Sequence, residues 1–203
     1  QASIGEICKI HTNSEHAVLA EVVGFRENRI LLMPLGDLSG ISPGVRVSST
    51  GGPFVVNVGP NLIGRVIDGF GNPIDGKGHI ELYEKMPISG ENINPMKRDR
   101  IIEPLWTQIR AIDAVVTVGK GQRIGIFAGS GVGKSVTLGM IARNVIADVN
   151  VIALIGERGR EVREFLEKDL GEEGLKRSVV VVVTSDLPPI LRIQGAKLAI
   201  TIA

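Results

Sequence analysis

Residues 128–135 read Ala-Gly-Ser-Gly-Val-Gly-Lys-Ser, set between an apolar run at 123–127 and an apolar segment of helical character that begins near Ser135. Strand, glycine-rich loop and helix in that order make a phosphate-binding loop. Gly129, Gly131 and Gly133 let the backbone curl so that consecutive N–H groups face phosphate oxygens, and the N-terminus of the following helix adds a favourable potential. In such a loop the lysine, Lys134, reaches the β- and γ-phosphates and the hydroxyl of Ser135 ligates Mg²⁺. The stretch predicts binding of a nucleoside triphosphate, with Gly129, Ser130, Gly131, Val132, Gly133, Lys134, Ser135 and Val136 holding it and Ser135 as the protein's metal ligand. Ala128 stands where the strict pattern has glycine, so the assignment leans on its strand-to-helix context. The competing reading is an ordinary glycine-rich turn between a strand and a helix.

Outward from the loop the rhythm is strand, helix, strand, helix, strand, helix. Continuous apolar runs at 123–127, 150–155 and 178–183 are what parallel strands buried on both faces look like. Helices are expected at 135–146, at 160–170 ending at Gly171, and at 189–203. Such a parallel α/β unit carries its ligand crevice at the carboxyl ends of the strands. Gly156-Glu157-Arg158-Gly159-Arg160-Glu161 follows the run 150–155 directly and so falls at that crevice. There a carboxylate can orient and deprotonate a water attacking the γ-phosphorus, and a guanidinium can offset charge on the transferring group. Glu157 suits the first role and Arg158 the second, with Lys134 as the third catalytic candidate. Arg160, Glu161, Arg163 and Glu164 read instead as a solvated helix start whose acids complement the helix dipole. Val162, Phe165, Leu166 and Leu170 recur at helical spacing and read as a core stripe.

The N-terminal part has a different texture. Short β-rich runs at 4–10, 17–25, 29–34, 45–49, 54–58 and 62–67 alternate with turn signals such as Arg26-Glu27-Asn28 and Ser42-Pro43-Gly44, the pattern of a small β-barrel or sandwich. Residues 76–105 carry repeated Gly and Pro among many charges and read as a linker. The expected division is a barrel domain over 1–75, a linker over 76–105 and an α/β nucleotide-binding domain over 106–203.

Composition narrows the field. Lys plus Arg number 23 against 22 Asp plus Glu, so the net charge of +1 offers no electrostatic case for nucleic acid. Residues 1–75 hold only Phe25, Phe54 and Phe70 as aromatics, too few for stacking on single strands. The longest purely aliphatic run, 179–183, is strand-sized, so no membrane span is expected. Cys8 has no partner for an internal disulfide and fits a reducing compartment as a small buried residue. His11, His16 and His79 lack the spacing of a zinc site and read as surface or loop residues.

AGSGVGKS, then GERGREVREF about twenty residues on, then RSVVVVVTSD and LRIQGA resemble the export ATPases of bacterial type III secretion. The likeness extends over the whole chain, through GRVIDGFGNPIDG and IRAIDAVVTVGKGQRIGIF, and TSDLPPILRIQG is more similar to the flagellar branch than to the injectisome branch. These enzymes are similar to the catalytic subunit of rotary ATP synthases. The resemblance implies an N-terminal β-barrel before a RecA-like core, Mg-ATP hydrolysis and a homohexamer. It also implies stalk, regulator and substrate–chaperone partners, a place in the cytoplasm at the inner face of the membrane, and membrane association through the export apparatus alone. By position it puts the phosphate-loop lysine on Lys134, the Mg-binding hydroxyl on Ser135, the catalytic glutamate on Glu157 and the phosphate-contacting arginine on Arg158. The alternative is a nucleotide-binding, non-hydrolysing subunit of a rotary-type ATPase, which would lack a carboxylate at the position of Glu157.

Two departures stand out. Gln108 occupies a place where the family has glycine, which bears on one local turn. The resemblance further implies barrel sequence before Gln1 and, after Ala203, the Walker B strand, adenine-contacting aromatics, a trans-acting arginine and a helical domain. Asp186 follows its apolar run only after Thr184 and Ser185 and reads as a loop or capping residue rather than the Walker B acid. Loss of a trans arginine alone costs about 10³–10⁵ in rate, so the expectation is a fragment that hydrolyses ATP poorly or not at all by itself.

Overall fold

The computed structural model describes residues 2–12, 17–82, 84–88, 94–129 and 131–203. Strands β1 (Glu6–His11), β2 (Val18–Arg26), β3 (Arg29–Pro34) and β4 (Arg46–Pro53) form an antiparallel sheet in the order β3-β2-β1-β4. The turn expected at Arg26-Glu27-Asn28 is a two-residue hairpin loop closing the pair Arg26↔Arg29, and Glu27 takes the positive φ of 54° that its first position requires. Cys8, Ile10, Ala20 and Val22 are buried on one face of this sheet, and Ile7, on the other face, is buried too. The Cys8 thiol is free and buried, and burial pushes its pKa up. His11 and His79 are exposed, the former bonded to the Ser48 hydroxyl at 2.8 Å, while His16 lies outside the described residues.

Three parallel strands make the sheet beside the phosphate loop: β6 (Val66–Asp68), β10 (Asn150–Ile155) and β11 (Ser178–Val183), in the order β10-β11-β6. All six residues of β11 are buried, which explains its unbroken valine run. Val179 and Val181 point into a cluster with Val56, Ile67, Ile80 and Leu198, whereas Val180 and Val182 face Val66, Ala142, Leu154 and Phe165. The period-two side-chain geometry of a strand thus feeds two cores from one run.

Between and around these strands lie β5 (Val55–Val58) paired with β7 (Glu84–Pro87), and β8 (Pro104–Leu105) paired with β9 (Val118–Gly119) around α1 (Arg110–Val115). Helices α2 (Lys134–Asn144), α3 (Gly159–Glu164), α4 (Gly171–Lys176) and α5 (Pro189–Ile202) complete the chain, with a π-helical turn, Phe165–Leu170, joining α3 to α4. Among the described residues no helix is long and apolar enough to cross a membrane.

Three readings of the sequence are corrected. The runs at 54–58 and 62–67 were expected in the barrel. Instead β5 pairs with β7, out of the segment read as linker, and β6 joins β11 in the parallel sheet. That placement is pinned by Arg65, whose Nε and Nη2 donate to the two Asp75 carboxylate oxygens at 2.7 and 2.9 Å, while the Val66 N–H donates to the same carboxylate. The helical run expected at 160–170 does end at Gly171, whose φ of 66° and ψ of 174° lie outside the helical region, and α4 then starts afresh and runs to Lys176. The run 123–127 forms no strand: Ile124 and Ile126 line a largely apolar cleft of about 470 Å³ together with Ala153 and Leu154, and the run makes no ladder with β10.

Candidate functional site

The loop before α2 is built by two left-handed glycines, Gly131 with φ of 77° and Gly133 with φ of 95°. A Cβ at Gly129, Gly131 or Gly133 would meet nothing within 4 Å, so the glycines serve the backbone path and leave the concave side open. Gly133 leads into α2, where the Thr137 N–H and hydroxyl both donate to its carbonyl, at 2.9 and 3.0 Å. No side chain caps the helix and no acid stands in its first turn, so the leading N–H groups and the positive end of the dipole are left for an external anion. Lys134 and Ser135 open the helix at this point.

Across the cavity, β10 ends at Ile155 and the chain turns through Gly156, whose φ of 77° admits glycine readily. The Gly156 N–H donates to the Val183 carbonyl at 2.7 Å, and the Ser185 N–H donates to the Glu157 carbonyl at 3.0 Å. These two bonds tie the backbone of the Glu157 loop to the end of β11. The Glu157 carboxylate itself is half-buried and makes no hydrogen bond among the described residues. Arg158 is exposed and its Nη1 lies 3.4 Å from a Glu161 carboxylate oxygen, a loose pair that solvent screens.

One cavity of about 910 Å³ gathers these parts: Gly129, Gly131, Gly133, Lys134, Ser135 and Val136 on one wall, Gly156, Glu157, Arg158 and Ser185 on the other. It sits at the carboxyl ends of β10 and β11, where a parallel α/β sheet places its ligands. Val132 points away and is 67% exposed, and Ser130 lies outside the described residues. The hydroxyl of Ser135 and the carboxylate of Glu157 are hard oxygen donors of the kind Mg²⁺ takes. Among the described residues no group of three His, Cys, Asp or Glu could hold a metal alone, so phosphate oxygens would have to complete any coordination shell.

Three acids on this cavity had no site role in the sequence reading: Glu161, Glu164 and Asp169. By sequence Glu161 and Glu164 read as dipole partners of the helix start. Glu164 does accept from Lys168 at 2.9 Å, which holds its carboxyl below the ordinary range. Asp169 is brought in by backbone packing: a Cβ on Gly139 would stand 2.5 Å from the Asp169 carbonyl, so α2 and the π-helical turn touch main chain to main chain.

Comparison with known proteins gives a consistent picture. Residues 1–51 match the β-barrel domain of the ATP synthase alpha/beta family, and residues 108–203 match the nucleotide-binding domain of the same family. The chain is 56% identical over 208 aligned positions to the flagellum-specific ATP synthase of Bacillus subtilis, covering 100% of this chain and 47% of that protein. It is 50% identical to the type 3 secretion system ATPase of Xanthomonas euvesicatoria, again over all of this chain and 46% of the relative. Among solved structures it superposes with a TM-score of 0.90 and 44% identity on the assembled ATPase EscN in complex with its central stalk EscO, from the enteropathogenic E. coli type III secretion system, covering 49% of that chain. The chain therefore spans about half the length of the relatives it matches.

Proposed function

Because the chain belongs to the ATP synthase alpha/beta family, we propose that it is the nucleotide-binding part of an ATPase that energises protein export through a flagellar or related type III secretion apparatus. One observation carries the reading: Lys134 and Ser135 line the same cavity as Glu157 and Arg158. In this reading the loop backbone and Lys134 hold the triphosphate and the Ser135 hydroxyl holds Mg²⁺. Glu157 takes the proton of the attacking water, and Arg158 leaves Glu161 to meet charge on the transferred phosphoryl group. Bound Mg²⁺ would neutralise the β- and γ-phosphate oxygens. Assembly into a homohexamer around a stalk, docking of regulators and substrate–chaperone complexes, and a cytoplasmic position at the inner face of the membrane belong to the same proposal. EscN, solved as an assembly with its stalk, supports the oligomer and stalk parts. The carboxylate at position 157 counts against a non-hydrolysing nucleotide-binding subunit.

The test is Mg-dependent binding of a fluorescent ATP analogue to the chain and two variants. Lys134→Ala should weaken binding at least tenfold, whereas Glu157→Gln should bind within about twofold of the parent and lose turnover in any form of the protein that hydrolyses ATP. Equal loss of affinity in both variants would refute the division of roles.

A further inference from the structure

Arg192 lies on the first turns of α5, outside every role assigned so far. Its Nε is buried and, among the described residues, has no hydrogen-bond acceptor. Buried donors are nearly always satisfied, so an orphan on a guanidinium asks for an explanation. The stem of the same side chain packs on the Glu157 loop: its Cδ is 3.9 Å from the point where a Cβ on Gly156 would stand. Nε is one bond beyond Cδ, and Glu157 is the next residue after Gly156. Glu157 presents the complementary lack, a half-buried carboxylate without a donor.

Both groups stand on fixed supports. The Glu157 backbone is tied to the end of β11 by the Gly156 and Ser185 N–H bonds. Helix α5 presses on the same strand so closely that a Cβ on Gly195 would stand 2.4 Å from Val183 Cγ2. At its far side α5 is held by Gln194, buried, whose amide donates to Glu21 of β2 at 2.6 Å. Both side-chain ends lack a hydrogen-bond partner among the described residues, and they belong to segments that touch at Gly156. We propose that Arg192 is a positioning residue for Glu157: with a nucleoside triphosphate in the cavity, its Nε–H donates to the Glu157 carboxylate and fixes the rotamer from which that carboxylate addresses water. The inference rests on the proposed role of Glu157. A guanidinium presents its donors in a rigid plane, so it can set direction as well as charge, which a lysine would do less well.

The other charged groups on the cavity are Lys134 from α2, Arg158 beside Glu157, Glu161 and Glu164 from α3, and Asp169 from the π-helical turn. Against that background the test is nuclear magnetic resonance on the chain loaded with a non-hydrolysable ATP analogue. Arg192→Gln should shift the carboxyl carbon resonance of Glu157 in the loaded chain while analogue affinity stays within twofold. In the unsubstituted chain, loading should slow exchange of the Arg192 Nε–H at least tenfold, and Glu157→Gln should abolish the slowing. That second measurement decides the matter if Arg192→Gln does not fold. An unshifted Glu157 resonance, or slowing that survives in Glu157→Gln, with analogue binding intact, overturns the role of Arg192 alone. Failure of the unsubstituted chain to bind the analogue overturns the nucleotide reading and this inference with it.

Discussion

The runs Ser178–Val183 and 123–127 are both short, apolar and rich in branched residues, yet they end in opposite states. The first is β11, paired on both sides and buried at every residue. The second pairs with nothing among the described residues, and Phe127 is 96% exposed. Strand propensity is largely a statement about fitting a pleated, half-buried surface, so the same kind of run becomes a strand only where neighbours supply the hydrogen bonds and the cover. In this structure β6 and β10 supply them to β11, while the cleft between 123–127 and β10 withholds them from the other.

The sharpest way to break the contrast is to place a charge in each run. Val181→Asp buries a carboxylate between β10 and β6, under the cluster containing Leu198, and should cost about 4 kcal/mol or more, enough to unfold a marginal domain. Ile126→Asp, at a site 37% exposed, should cost about 0.5 kcal/mol. Urea denaturation of both variants measures the difference. Similar losses would mean that 123–127 is held in the folded protein far more firmly than its exposure indicates.

A milder perturbation acts on the cover rather than the strand. Asp75 is only 6% exposed, accepts from Arg65 and from the Val66 and Lys77 N–H groups, and so braces the start of β6, the strand that covers one edge of β11. Asp75→Asn leaves the guanidinium without its charge partner and should destabilise by about 3 kcal/mol. The Arg65 hydrogen bonds hold the Asp75 carboxyl well below the usual carboxylate range. A carboxyl depressed in the native state contributes its full stability above the unfolded value, near pH 4, and loses it as pH falls further toward the native value. Stability of the parent chain should therefore drop below about pH 4 more steeply than that of Asp75→Asn. Parallel pH curves for the two would show that the pair does not link protonation to folding.

How much of this could be read from the residues follows the same division between local and borrowed order. The phosphate loop is legible because its geometry is local: glycines at fixed spacing before a helix produce the left-handed φ at Gly131 and Gly133 whatever surrounds them. The doubly buried β11 is legible from its valines. Strand β6 is three residues long and takes its identity from β11 and the Arg65–Asp75 pair, so it was misassigned to the barrel. β7 hides among linker-like Gly and Pro, and only its pairing with β5 makes it a strand. Asp169 reaches the cavity through main-chain contact at Gly139 and through a π-helical turn, neither of which leaves a regular period in the sequence. The unpaired Arg192 Nε is visible only once α5 is laid beside Gly156.

The smallest expected effect tests whether the segment leading into 123–127 has local order of its own. Gln108 has φ of 63°, left-handed backbone that costs a non-glycine residue roughly 1 kcal/mol. The turn is kept by Asp113, whose carboxylate accepts from the Thr107 N–H at 2.9 Å, the Thr107 hydroxyl at 2.7 Å and the Gln108 N–H at 2.9 Å. These bonds hold the Asp113 carboxyl below its ordinary range, the Thr107 hydroxyl foremost. Gln108→Gly removes the strain but gives the unfolded chain more freedom, so the two effects partly cancel and a net gain of about 0.5 kcal/mol is expected. A loss in urea denaturation would mean that the Gln108 side chain holds the turn. A gain that disappears when Asp113→Asn is added would mean that the strain at Gln108 is imposed by the carboxylate and not by the fold around it.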